Sequence, residues 1–168
     1  TIIGTFADVT SNHLYNATAL GYGTRVNASN KVRIGDEYVT VIEGQVPWSN
    51  VSDARLKENI KNTPELGLEF IQKLNTVSYN YISEKTKTRH DGFLAQDIEK
   101  IMKEMGVDFS GLKIADDGTY SLAYSDFVMP LVNAIKEQQK TIESLKEKVN
   151  SLQSLADKVD QLEALLRK

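Results

Sequence analysis

Three patterns of apolar and polar positions follow one another along the chain. In residues 1–51 the apolar positions are interleaved with Gly, Asn and Thr. In "KVRIGDEYVTVIEGQV" Val32 and Ile34 alternate with polar neighbours, and Gly35-Asp36 suits a turn. This pattern predicts short strands with tight turns. Large apolar side chains are scarce, so the region cannot bury enough surface alone and is expected to wind around identical neighbours or stack on preceding repeats.

The second pattern mixes helical and strand periods. "PELGLEFIQKL" has Pro64 early and Leu66, Phe70, Ile71 and Leu74 at helical spacing, and in "TVSYNYI" Val77, Tyr79 and Tyr81 alternate as in a half-buried strand. "DGFLAQDIEKIMKEMG" places Leu94, Ile98, Ile101, Met102 and Met105 on one helical face, with Gly106 as C-cap. "LKIADDGTYSLAY" reads as a hairpin turning at Asp116-Asp117-Gly118; a calcium loop would need more oxygen ligands and a closing Glu. The third pattern is heptad. With Val128 at a, the a series runs Val128, Ile135, Ile142, Val149, Ala156 and the d series Leu131, Gln138, Leu145, Leu152, Val159. Leu155, Val159, Leu162 and Leu166 form a separate stripe, so the register slips near Ser151 to Ala156, by local overwinding or at a frayed end. The boundaries drawn from these patterns are 1–51, 52–125 and 126–168, and the fold class is α+β.

Composition narrows the function classes. A net charge of −3 gives no reason to expect nucleic acid or an anionic membrane as partner, and the absence of cysteine excludes disulfides and thiolate metal sites. No apolar run is long enough to span a bilayer. The chain opens with Thr1, without an initiator Met or a signal-peptide pattern, and reads as a piece of something longer.

The chemistry-bearing stretch is "WSNVSDARLKENIKN", which holds Ser52 and Lys57. One reading makes Ser52 a helix N-cap with Asp53 at N1 and Lys57 an ordinary exposed residue. The other makes Ser52 a nucleophile and Lys57 its base, which requires the lysine neutral and therefore buried or beside a positive charge such as Arg55. Five positions along one helix separate two side chains by about 140°, so a contact needs Ser52 outside the helix or a Lys57 from another chain. The arrangement across chains is favoured here. Trp48 is expected to be a packed anchor at the junction.

"SDARLKENI", "LNTVSYNY", "HDGFLAQDIEKI" and "YSLAYSDFVMPLVNAIKEQ", in that order and leading into a coiled coil, resemble the carboxy-terminal intramolecular chaperone domain of phage endosialidases, tailspikes and tail fibres, the peptidase S74 family. The resemblance spans Ser52 to about Gln139. It implies a domain that joins three copies of the chain, helps a β-rich passenger fold, and releases itself by cutting its own backbone with a Ser/Lys dyad. Ser52 and Lys57 match the dyad, and the implied cut falls between Ser52 and Asp53, a bond that the sequence alone does not separate from Val51–Ser52. His90 matches a position where some relatives carry His before Gly-Phe and is a supporting candidate beside Arg55. The partners implied are the chain itself, as a homotrimer with a parallel coiled coil, and the passenger; no cofactor or metal enters. β-Branched a positions with Leu at d favour two strands; three are preferred from the resemblance and from the β region's need for neighbours. The implied setting is a virion tail fibre or spike, or a bacterial surface. The alternative is a trimerisation module that does not cut. "NATALGYGTRVNASN" is also similar to short-strand repeats in the heads of trimeric bacterial adhesins. Glycan binding by residues 1–51 is a further reading that rests on Asn/Thr richness and Trp48.

Overall fold

The computed structural model describes residues 1–167. The chain forms five short strands first: β1 (Ile2–Ile3), β2 (Asp8–Val9), β3 (Thr18–Leu20), β4 (Arg25–Val26) and β5 (Val32–Ile34). They pair in parallel, in the orders β1-β3-β5 and β2-β4. Each circuit of chain therefore lies on the one before it, and the turns expected between neighbouring strands are instead the corners of stacked coils. Small residues make this possible: Ala17, Ala19, Val26 and Ala28 are buried, and Ala7, Val9 and Leu14 pack around them. At Gly4 (φ 134°) a Cβ would lie 2.4 Å from the Gly21 carbonyl oxygen of the next coil, so no other residue fits. Asn16 and Asn30 take the left-handed corners at φ 49° and 57°, and the Asn16 Nδ2 donates to Asn30 Oδ1 at 3.0 Å.

By compactness the chain divides into two units. The coils (residues 1–62) group with 75–100 and 112–122, and a second unit comprises 63–74, 101–111 and 123 onward. In the first, β6 (Val77–Tyr79) pairs antiparallel with β7 (His90–Gly92), and β8 (Leu112–Ile114) pairs antiparallel with β9 (Tyr120–Leu122). The β8–β9 turn is the one expected, with Gly118 at φ 80°. Strand β7 has no alternation in "RHDGF" to announce it. Tyr81 falls outside β6, because Asn80 Nδ2 donates to the Lys87 and Thr88 carbonyls and closes a loop there.

Among the described residues, three α-helices complete the fold: α1 (Leu68–Lys73), α2 (Ala95–Met105) and α3 (Val128–Leu166). Helix α2 ends as expected, with Gly106 at φ 66° and the Val107 N–H donating to the Met102 carbonyl at 3.0 Å. Helix α1 is shorter than the apolar spacing predicts. Its start is set from α3, since Glu137 Oε2 accepts from the Leu68 N–H at 3.0 Å and Asn133 Nδ2 donates to the carbonyls of Thr63 (2.9 Å) and Leu66 (3.1 Å). A Cβ on Gly67 would collide with that Glu137 carboxylate. Phe70, Phe109 and Phe127 fill the core of this unit, with ring centroids 5.3 Å apart for the first pair and 4.7 Å for the second.

Helix α3 presents two faces. Pro130 and Ala134 are buried, with Pro130 in the first turn where its missing N–H costs no helical bond. The heptad residues Val128, Leu131, Ile135, Ile142, Leu145, Val149, Leu152 and Val159 are all exposed. The helix continues unbroken through Ser151 to Ala156, so the slip of register occurs inside a helix and not at a frayed end.

Candidate functional site

Residues 37–62 contain no regular element except one 3-10 turn, Ala54–Leu56. Asp53, not Ser52, caps that turn: its Oδ1 accepts from the Arg55 N–H at 2.9 Å, and the Lys57 N–H donates to the Ala54 carbonyl at 3.2 Å. Ser52 thus stands just outside the turn, and Lys57 returns to extended backbone at φ −121°, ψ 139°. The turn folds the chain back on itself, and Lys57 Nζ donates to Ser52 Oγ at 2.7 Å within one chain. The favoured arrangement across chains is not needed for this contact, since Ser52 and Lys57 do not share a helix. A charged Lys57 donates here; a neutral one takes the hydroxyl proton through the same approach.

The neighbouring groups are placed differently from expectation. Arg55 faces Asp53: its Nη2 lies 2.6 Å from Asp53 Oδ2, and its Nε donates to both carboxylate oxygens at 3.1 Å. This side-chain pairing, with the Arg55 backbone N–H second, holds the Asp53 carboxyl below its ordinary range and raises the Arg55 guanidinium. The Arg55 charge is thereby spent on Asp53, the residue after the implied cut. His90 is engaged by Glu84, whose Oε2 is 3.0 Å from His90 Nε2, and by the rings of Tyr79 and Tyr81, with centroids 5.8 and 5.1 Å away. The Glu84 carboxyl is lowered first by the Thr88 hydroxyl and next by His90. His90 lines a cleft of about 590 Å³ with Arg33, Glu37, Tyr38, Tyr81 and Glu84, a set that excludes Ser52 and Lys57. Nothing in the sequence signalled Glu84 as the partner of His90.

Ser52 and Lys57 are both exposed, and so are the apolar residues flanking them, Val51, Leu56 and Ile60. Trp48 is 85% exposed. The packed anchor expected at the junction is absent in one chain, because the irregular backbone on either side offers the indole no sheet or helix face to lie against.

Residues 52–107 match the peptidase S74 family model, the chaperone of endosialidase. That segment, about a third of the chain, is similar to this family, and the resemblance read from the motifs holds there. No curated protein matches. Among solved structures, the chain is similar to the carboxy-terminal domain of the bacteriophage T5 L-shaped tail fibre with its intramolecular chaperone domain, at 17% identity and a TM-score of 0.44. The match takes in 82% of this chain and 38% of that one.

Proposed function

We propose that the chain is an intramolecular chaperone that assembles as a homotrimer and cuts its own backbone between Ser52 and Asp53. Residues 1–51 are the end of a β-rich passenger, 52–125 the self-cleaving chaperone domain, and 126–168 a parallel coiled coil that joins three copies. The family resemblance supports a virion tail fibre or spike as the setting of the passenger. No helix among the described residues is long and apolar enough to cross a membrane.

The observation that carries this reading is the 2.7 Å contact of Lys57 Nζ with Ser52 Oγ inside the family-matched segment. Ser52 is the nucleophile and Lys57 the base. A lysine open to water keeps its proton, and one covered by protein gives it up near neutrality. With Arg55 paired to Asp53, covering is the tuning that remains. Val51, Leu56, Ile60 and Trp48 supply apolar surface beside the dyad for association to cover. Cleavage then follows assembly.

The test is to express the chain and weigh it. A cut after Ser52 yields pieces of 52 and 116 residues. Ser52→Ala should stay whole with its oligomer intact, and so should Lys57→Arg, because guanidinium does not release its proton near neutrality. Normal processing of Ser52→Ala would refute the dyad.

A further inference from the structure

The dyad is complete within one chain, yet direct attack on the Ser52–Asp53 bond of that same chain runs through a strained ring. Ser52 Oγ, Cβ, Cα and the Ser52 carbonyl carbon would have to close into a four-membered lactone. Its internal angles lie near 90°, against about 111° for an unstrained backbone, and angular strain grows roughly as the square of the deviation. The carbonyl that Oγ reaches easily in its own chain is that of Val51, through a five-membered ring, and that attack breaks the Val51–Ser52 bond instead.

We propose that each chain uses its own Ser52–Lys57 pair to cut the Ser52–Asp53 bond of a neighbouring copy. The inference rests on the proposed self-cleavage at that bond. Lys57 Nζ takes the proton of the Ser52 hydroxyl 2.7 Å away. The Oγ bonds to the carbonyl carbon of the neighbouring copy's Ser52, and the carbon–nitrogen bond to that copy's Asp53 breaks. The Asp53 nitrogen leaves as an amine, carrying the proton returned by Lys57. An ester now joins the two chains through Ser52. Water, deprotonated by Lys57, opens it, restores the hydroxyl and leaves a carboxyl on the cut end, so one water is consumed per bond cut.

The placement of the dyad suits this. It lies in an exposed stretch whose one regular element is the Ala54–Leu56 turn, where Arg55 pairs with the Asp53 carboxylate. A second copy laid against Val51, Leu56 and Ile60 covers Lys57 and delivers its own Ser52 carbonyl in one step. Cleavage thereby requires two correctly placed chains, a stricter requirement than covering one.

The experiment co-expresses a tagged Ser52→Ala chain with the unmodified chain and isolates oligomers containing both. Cleavage of the variant after position 52 is expected to rise from none, when it is alone, to a readily measured fraction in the mixture. Hydroxylamine should intercept the ester, freeing the Ser52 hydroxyl and leaving a hydroxamate on the cut end of the neighbouring chain. Co-assembled Ser52→Ala and Lys57→Ala chains should stay uncut, since neither carries a whole dyad. If unmodified chains are cut while Ser52→Ala chains in the same oligomers stay whole, attack between copies is overturned and self-cleavage stands. Pieces of 51 and 117 residues would overturn it in favour of attack on Val51. Cutting in the mixture of the two variants would move the dyad itself across chains and overturn the inference. An unmodified chain that never cuts removes the self-cleavage reading, and this inference falls with it.

Discussion

The corner where α1 meets α3 and the stretch from 37 to 62 contrast in what a single chain can satisfy. In the corner, Phe70 is fully buried against Phe109, the end of α1 is capped by Glu137, and the Thr63 and Leu66 carbonyls are taken by Asn133. In the stretch, Val41, Val46, Trp48, Val51, Leu56 and Ile60 lie exposed around a backbone without ladder or helix. The Ser52–Lys57 pair sits in the second. A chemical group placed where the lone chain is unfinished is governed by whatever finishes it, which under the proposed function ties a cut to assembly.

Three changes probe that contrast. The largest effect is expected from ending the chain after Gln139. This keeps Pro130, Asn133, Ala134 and Glu137, which serve the corner, and removes the exposed seam from Ile142 onward. Cleavage and oligomer mass should be lost together while helical signal from the corner persists; a truncated chain that cuts itself at the parent rate would show the seam to be irrelevant. Phe70→Ala comes next. Truncating a fully buried Phe costs about 3–5 kcal/mol, so the midpoint of denaturant unfolding should fall steeply. Glu137→Ala removes a helix cap that reaches from α3 and should cost about 1 kcal/mol. A neutral result there would mean that water replaces the carboxylate without loss.

The same contrast separates what was legible in the sequence from what was not. Helix α3, the Gly106 cap and the β8–β9 turn are local, and period or turn chemistry exposes them. The start of α1 depends on Glu137, a residue far along the chain, and no window around Pro64 shows it. Stacking on preceding repeats was one of two expectations for the coils; their register was not legible, because paired positions are unevenly spaced, Ile2 with Ala19 and then Ala19 with Arg33, so no fixed repeat appears. For the dyad, helical geometry stated the condition that Ser52 stand outside the helix. The Asp53 cap that meets this condition was read instead as the first helical residue. Trp48 was misjudged because an aromatic at a junction is ordinarily covered by its own chain, and here a single chain offers no cover.

The smallest effect is expected where the coils touch the β8–β9 turn within their own unit. Asn27 Nδ2 donates to Asp117 Oδ2, and Lys31 Nζ donates to Asn27 Oδ1 at 2.9 Å. The Asp117 carboxyl lies below its ordinary range, chiefly through the Thr119 backbone N–H, then the Thr119 side chain, with Asn27 and Lys31 contributing less. Because the folded carboxyl is depressed, its stabilisation is present above the pKa of the unfolded chain and is lost as pH falls through the folded value. Asp117→Asn keeps an acceptor for the Thr119 N–H and removes the charge. At pH 7 the melting temperature should drop by less than about 2 °C, as befits an exposed contact, and added salt should shrink the difference. Parent and variant should converge once the pH is taken below the ordinary carboxylate range. A larger drop, or a gap that persists in acid, would show that the turn holds the coils by more than the Asp117 charge, and the first unit would then be tied together more firmly than its exposed polar contacts account for.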